Sequence, residues 1–534
     1  MKSTTPISTQ IPALIEELTE RYGDRLAIVG GEQRLTYRQL QVKVQEAASG
    51  LYALGIRPKD HVAILMGNKP EWIISFLAVQ CLGATAVCLN TWSTPRELEY
   101  TIAHAEIKCL IAVSQFRKYN YQEMLSNMQP HRERLPHLQK IVWLPELGHQ
   151  LQLNVNEWDW QTLIEGGSVK ADAEIAKASA QVNAKDIAVL LYTSGSTAAP
   201  KGILLEQGNW IMNSWHIGER QGVTPQDRLW LAVSLFWSFG SVNAFPNIFT
   251  HGACVVLQEH FDAELALQLI EKEKCTVVYG TPNMFQALSE HPDRARRNLK
   301  SLRTGAMIGT PEQIQVAVDL GLNDICNVYG LSETYGNCAV MDFREPLSFR
   351  MHSVGQPLPG VDLRICDMET GRVLPVGEVG EIRVKGVLFQ AYYKDPDKTN
   401  ESYDVEGYFC SGDLGELDPR GFLFYKGRLK EMVKSGGINI APIEVEEVLM
   451  RHPDLKAAYV IGMPDPQLDE ILVALLIPKS DAQKNIDSIR LFCKQELAAY
   501  KVPAKFQWVK EQDLPLTSTG KLQKMKLHEL VISS

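Results

Sequence analysis

The sequence predicts an α/β fold with two helix-covered sheets, then a small β-rich module and a compact α+β terminal unit. Three observations carry that prediction. Short apolar runs alternate with segments of helical period, the pattern of parallel strands joined by crossover helices. The alternation comes in two separate blocks, so two sheets are expected rather than one. From about residue 355 the texture changes to brief strands divided by Gly and Pro. With 534 residues the chain is expected to hold more than one domain. The boundary is placed at 427–430, giving a domain 1–427 (its β-rich part about 355–427) and a domain 428–534.

In the first block "HVAILMG" (61–67) reads as a strand and "PEWIISFLAVQCLG" (70–83) as a helix. "TAVCLN" (85–90) is a strand, "TPRELEYTIAHAE" (94–106) a helix and "CLIAV" (109–113) a strand. Residues 72–90 carry no charge and are nearly long enough to cross a bilayer. Gln80, the break at Gly83 and the β-leaning finish divide them into a buried helix, a turn and a strand, so no transmembrane segment is expected. The second block repeats the rhythm with "GACVVLQ", "DAELALQLIEKEK", "CTVVYG" and "TPNMFQALSEH". "GVDLRICD", "GEVGEIRVKG" and "GFLFYKGRLK" form the β-rich module. "PIEVEEVLMRHP", "KAAYVIGMPD", "ILVALLIP" and "SIRLFCKQEL" give the α+β terminal unit.

Composition excludes several classes. A formal net charge of −9 argues against nucleic acid as a partner, and a polyanionic substrate must be held by local groups. The ten cysteines are scattered with no C-x-x-C, which fits neither a disulfide framework nor a zinc ribbon. Reduced thiols in the cytoplasm are expected. The N-terminus has no apolar h-region, so no secretory signal is expected. His104, His216 and His352 fit no metal spacing and read as structural or exposed.

The stretch "LLYTSGSTAAPKGILLEQGNW" (190–210) packs hydroxyls, glycines and a lysine between apolar flanks. Pro200 precedes Lys201 and Gly202 follows it, so the loop lacks the glycine and the Mg²⁺-binding hydroxyl of a Walker P-loop. Thr193, Ser194, Ser196 and Thr197 can still donate to anionic oxygens, and Lys201 adds a point charge on a long stem. By itself the stretch reads either as a phosphate cradle or as a polar hairpin turn.

Five further stretches follow: "SLFWSFG" (234–240), "VYGLSETYG" (328–336), "YFCSGDLG" (408–415), "GRLKEMVKSGGINIAPIEVE" (427–446) and "LPLTSTGKLQKMKL" (514–527). In this order and spacing, from "LTYRQL" (35–40) to the last lysines, the chain resembles the adenylate-forming superfamily. That superfamily comprises acyl-CoA synthetases, adenylation domains of peptide synthetases and luciferases, and the pattern here is nearest to the synthetases. The resemblance implies a large N-terminal domain of two α/β sheets plus a small β-barrel, with a small mobile C-terminal domain.

The implied chemistry joins a carboxylic acid to AMP with release of pyrophosphate, then hands the acyl group to a thiol. It calls for ATP, Mg²⁺ and CoA, or the phosphopantetheine of an acyl carrier protein in place of CoA. The loop 193–202, with Gly195 and Lys201, is implied to cradle pyrophosphate. Glu333 resembles the Mg²⁺ carboxylate and Ser332 the hydroxyl on the α-phosphate. Tyr329 resembles the aromatic on adenine, with Gly330 beside it in the same motif. Asp413 is implied to accept the ribose hydroxyls, helped by Arg428. Lys521 resembles the lysine that bridges substrate carboxylate and α-phosphate. Lys430 sits where the family hinges, and rotation there withdraws Lys521 and presents "KSGGIN". In that stretch Lys434, Gly436 and Gly437 match the lining of the thiol tunnel.

Three departures bear on function. Ala198 replaces a glycine of the family loop, and Ser196 a threonine. Trp237 stands where amino-acid-activating relatives carry an aspartate for the substrate ammonium. An α-ammonium there would be buried without a partner, so an acid lacking an α-amine is expected. Trp237, Phe239, Gly240, Met307 and Tyr335 are expected to line an apolar acyl pocket. Two rival readings are a ligase that loads a carrier protein and an inactive relative that binds nucleotide or acid. The second of these predicts loss of Lys521, Glu333 or Asp413, and all three are present.

Overall fold

The two blocks of alternating strand and helix build two separate sheets. One has nine strands and the other eight. These are described in a computed structural model covering residues 3–128, 134–146, 150–166, 169–193, 200–435, 438–465, 468–480, 482, 484–497, 499–516 and 522–531. The chain divides into two compact units. Residues 1–309, 313–362 and 385–403 form the first, and 310–312, 363–384 and 404–534 the second.

In the first unit, the nine-stranded sheet has a parallel middle. Leu26–Gly30, Cys254–Leu257, Arg228–Leu231, Val277–Tyr279, Thr304–Met307 and Asp324–Tyr329 lie side by side. Antiparallel strands finish both edges, Gln33–Thr36 on one and Ala339–Val340 then Gln356–Pro357 on the other. The eight-stranded sheet is parallel from Ile187–Thr193 through Thr85–Cys88, His61–Leu65, Cys109–Val113 and Lys140–Leu144 to Glu157–Asp159. Its other edge is antiparallel, where Ile187–Thr193 meets Lys201–Glu206 and that strand meets Ala391–Tyr392.

Central strands such as Thr85–Cys88 and Cys109–Val113 are buried at every residue. That burial explains their continuous apolar runs, as both faces are covered. The uncharged stretch resolves as expected into the helix Pro70–Cys81, a turn at Gly83 with φ +64° and the strand Thr85–Cys88. Nearly every side chain of that helix is buried. Among the described residues no helix is long and apolar enough to cross a membrane.

One buried ion-pair cluster fastens the edge of the nine-stranded sheet. Glu273 ends the helix Ala263–Glu273 and takes both Arg34, at 2.8 and 2.9 Å, and Arg228. The Arg34 hydrogen bond holds its carboxyl below the usual range, with Arg228 adding attraction against the burial that opposes it. Replacing Glu273 with Gln is expected to cost about 2 kcal/mol of stability at pH 7, less than a fully buried pair because Arg34 is half exposed. A carboxyl whose folded pKa is depressed stabilises above its unfolded value, near 4.3, and loses that contribution as pH falls through the folded value. Urea midpoints of the two proteins should therefore converge below about pH 4.

The β-rich module, most of it in the second unit, is a four-stranded sheet of Val361–Cys366, Gly380–Gly386, Phe409–Leu417 and Leu423–Arg428. The terminal residues form a five-stranded sheet in which the long hairpin of Leu455–Asp465 and Asp469–Pro478 is central. Helices Pro442–Met450 and Ile486–Glu496 bury Val445, Leu449, Ile489 and Cys493 in one core with Val460, Leu472 and Leu476. All ten cysteines are free, nine of them buried. Burial pushes the thiols of Cys81, Cys109 and Cys326 up to about 12, so they are not nucleophiles at neutral pH.

Candidate active site

The stretch 190–210 is built as a hairpin. Ile187–Thr193 and Lys201–Glu206 pair antiparallel, with Tyr192 opposite Gly202 and Thr193 opposite Lys201. Thr193 and Lys201 therefore face each other at the base of the loop. Ser194, Gly195, Ser196, Thr197 and Ala198 lie outside the described residues. Beneath the loop Tyr192 shares a 2.7 Å hydrogen bond with His104 Nδ1, and His104 packs against Tyr100 and Tyr393. Burial, then the nearby Lys394, hold His104 below its ordinary range. A neutral imidazole can accept the tyrosine proton, so His104 has the structural role expected of it, as a buttress under the hairpin.

The motif "VYGLSETYG" begins at the end of the strand Asp324–Tyr329. Tyr329 is only 5% exposed. A Cβ on Gly330 would lie 2.4 Å from the Gly336 carbonyl oxygen, so only glycine lets these two backbone segments approach. Ser332–Thr334 is one short 3₁₀ turn, closed by Thr334 Oγ1, which accepts from the Leu331 N–H at 2.9 Å. The turn carries Glu333 half-buried, its carboxylate accepting from the Tyr392 hydroxyl at 2.8 Å. Ser332 Oγ donates to Ser238 Oγ at 3.0 Å. The hydroxyl expected at the α-phosphate thus rests on Ser238, the residue after Trp237.

The π-helical turn Phe239–Ala244 carries the expected acyl-pocket residues forward from Trp237. Trp237 is half-buried against Trp92 and Phe236, ring centroids 5.5 Å away in each case. Phe239 packs on Tyr279 at 5.1 Å. Gly240 sits where a Cβ would come within 2.4 Å of the Ser234 carbonyl oxygen. Met307 is fully buried at the end of Thr304–Met307. Tyr335 is also fully buried, at φ +56°, and its hydroxyl accepts from the Glu206 N–H at 2.7 Å, which ties it to the far end of the hairpin.

Sequence reading did not single out Trp92, Tyr279 or Tyr392. It also passed over two asparagines. Asn243 and Asn337 are fully buried, and no partner is found for either side-chain amide among the described residues. The Asn243 amide nitrogen stands 3.1 Å from where a Cβ on Gly336 would lie. The turn bearing Phe239 and Gly240 thus also bears a buried amide. A polar residue inside "GSVNAFPN" was the available signal.

In the second unit Asp413 and Arg428 are register partners across adjacent strands, with Arg428 Nε 3.1 Å from Asp413 Oδ1. Asp413 is 3% exposed while Arg428 is half exposed. Lys434 lies exposed on Val433–Ser435, its N–H donating to Glu470 Oε2 at 2.8 Å. The Lys430 side chain, Gly436, Gly437 and Lys521 lie outside the described residues. On either side of the last of these, Leu516 and Leu522 form an antiparallel bridge. Lys524 pairs with Glu446 at 2.8 Å and Glu431 at 3.2 Å.

No group of three His, Cys, Asp or Glu side chains that could hold a metal exists among the described residues. A lone carboxylate such as Glu333 suits Mg²⁺, which takes one or two carboxylates and draws its other ligands from phosphate and water.

A family model described as AMP-binding enzyme matches residues 15–393, and the AMP-binding enzyme C-terminal domain matches 444–521. The chain is 30% identical to the acyl-CoA ligase sidI of Aspergillus fumigatus, over 96% of this chain and 89% of that protein. It is likewise 30% identical to the mouse (Mus musculus) medium-chain acyl-CoA ligase ACSF2, mitochondrial, over 98% and 88%. Among solved structures it is similar to the anthranilate CoA ligase AuaEII in complex with anthranoyl-AMP, with a TM-score of 0.86, 26% identity and 98% of each chain covered. With the family's motifs on these strands and turns, the chain belongs to the AMP-binding enzymes, the adenylate-forming family of the acyl-CoA synthetases and ligases.

Proposed function

We propose that this protein uses ATP to activate a carboxylic acid as acyl-AMP, with release of pyrophosphate, and passes the acyl group to the thiol of CoA. The observation that carries this reading is the meeting of Glu333 and Lys201 on Tyr392, which joins the "YGLSE" turn to the base of the phosphate loop.

In the first half-reaction a carboxylate oxygen of the acid attacks the α-phosphorus and the bond to pyrophosphate breaks. Lys201, Thr193 and the loop hydroxyls receive the departing phosphates, and Ser332 donates to the α-phosphate. Lys521 aligns carboxylate and phosphorus. Glu333 would hold Mg²⁺, which when bound would supply positive charge against the shifting phosphate charge. Tyr329 would meet the adenine, and Asp413 with Arg428 would hold the ribose. In the second half-reaction the CoA sulfur attacks the acyl carbon, the bond to AMP breaks and the thiol proton is lost. Lys434, Gly436 and Gly437 line the path of the thiol. The free, buried cysteines suit a cytoplasmic protein.

The ring setting of Trp237 favours an acid without an α-amine. Taking an ammonium out of water with no counter-charge costs several kcal/mol. An α-amino acid should therefore react with kcat/KM about 100-fold or more below its desamino analogue, measured as pyrophosphate release on matched pairs.

The whole reading is tested by incubating the protein with ATP, Mg²⁺, CoA and a panel of straight-chain, alicyclic and aromatic acids, following products by mass. Acyl-CoA with stoichiometric AMP supports it. Acid-dependent pyrophosphate without thioester, until a carrier protein replaces CoA, moves the acceptor to the carrier. Silence across the panel refutes the activity.

A further inference from the structure

Tyr392 lies on the two-residue edge strand Ala391–Tyr392, opposite Ile203 of the strand that begins with Lys201. Its backbone is pinned on both sides. Its own N–H donates to Thr399 Oγ1 at 3.0 Å, and the N–H of Tyr393 donates to the Gly202 carbonyl at 2.8 Å. The hydroxyl donates to Glu333 Oε1 at 2.8 Å, while the ring face stands 5.5 Å from Lys201 Nζ. Three residues earlier, the Phe389 N–H donates to the Glu333 carbonyl at 2.7 Å, and its ring packs 4.8 Å from that of Tyr392. One short segment therefore grips Glu333 twice, by main chain and by carboxylate. A phenol hydroxyl beside a carboxylate can only act as the donor, so the direction of this bond is fixed.

We infer that Tyr392 is a positioning residue for adenylation, turning one Glu333 oxygen toward the metal that accompanies ATP while seating the Lys201 ammonium on its ring. The inference rests on Glu333 being the metal carboxylate. A carboxylate on a one-turn helix is free to swivel, and a hydrogen bond to one oxygen fixes which oxygen is left for the ion. Outer partners of this kind are worth about 10–100-fold in metal affinity. The ring does a second job. The carboxylate and the ammonium meet the same tyrosine, and a direct pair between them would cancel both charges that the nucleotide needs. Tyrosine satisfies the first with its hydroxyl and the second with its face, a seat that places the ammonium while leaving its hydrogens free to donate to phosphate.

The test compares the full-length protein with Tyr392→Phe, which keeps the ring, by Mn²⁺ paramagnetic resonance. The nucleotide is an α,β-methylene ATP analogue, which cannot release pyrophosphate. The Phe variant should raise the Mn²⁺ dissociation constant of the protein–analogue complex about tenfold, with metal-free analogue binding unchanged. In a Glu333→Gln background the same change should do nothing more. Tyr392→Leu should in addition weaken metal-free binding, because Lys201 loses its seat. A Phe variant within twofold of wild type, beside a Glu333→Gln variant that does lose Mn²⁺, overturns the role of Tyr392. If Glu333→Gln also keeps Mn²⁺, the metal reading of Glu333 fails and takes this inference with it. Equal losses with and without metal mark a merely structural residue.

Discussion

Lys521→Ala is expected to lower acid-dependent pyrophosphate release by about 10²–10³-fold, the usual effect of removing one preorganised group that meets transition-state charge. Transfer from a pre-formed acyl-AMP to CoA should keep most of its rate. The two half-reactions need different things. Formation of the adenylate brings two anions together, and an ammonium between them lowers that repulsion and sets the line of attack. Attack by a thiol on acyl-AMP has no second anion to bring in, so the lysine is dispensable there. The variant should also fold normally, since the neighbouring anchor is a different residue. Lys524 pairs with Glu446 and Glu431 and holds the following segment to the terminal core. Single-turnover experiments with ATP and acid, and separately with synthetic acyl-AMP and CoA, make the comparison. Equal loss in both would assign Lys521 to binding or folding, not to adenylation.

Glu333→Gln should reduce adenylation by a similar factor, about 10²–10³-fold. It should also raise the Mg²⁺ concentration needed for half-maximal rate. Glutamine has the shape of glutamate, and its carbonyl oxygen can still accept from Tyr392, whose hydroxyl lies 2.8 Å from the carboxylate in the native protein. The 3₁₀ turn should survive, because Thr334 and the Phe389 N–H hold it through the main chain. What is lost is the negative charge proposed to meet the metal. Thermal unfolding within a degree or two of wild type, with the Mg²⁺ dependence displaced, is the expected pair of results. An unchanged Mg²⁺ dependence would remove Glu333 from the metal.

The large architecture was readable because it rests on local pattern. Buried parallel strands must be apolar on both faces, so Cys109–Val113 and Cys254–Leu257 announce themselves as short continuous runs. The helix Pro70–Cys81 could be separated from a membrane span because it carries Gln80 and because Gly83 and a β-leaning segment follow it. At the site, residues in compact motifs were legible: Thr193 and Lys201 around one loop, Ser332 and Glu333 on one turn. Their supports were not. Tyr392 is 59 residues from Glu333, on a strand too short to show any period. Trp92 meets Trp237, and Arg34 meets Glu273, across separations that no window of sequence spans. Asn243 was hidden for another reason. It occupies a π-helical turn, where the spacing of buried positions departs from the helical period used to find them.

The acyl-adenylate is the central claim, and isotope transfer tests it most directly. The measurement uses an accepted acid labelled with ¹⁸O in its carboxylate, one turnover with ATP, Mg²⁺ and CoA, and mass analysis of the nucleotide and phosphates. If the carboxylate attacks the α-phosphorus and the thiol then breaks the acyl–oxygen bond, one labelled oxygen must leave with AMP and none with pyrophosphate. Label in inorganic phosphate, or AMP without label while acyl-CoA accumulates, would mean that the acid is activated by another route.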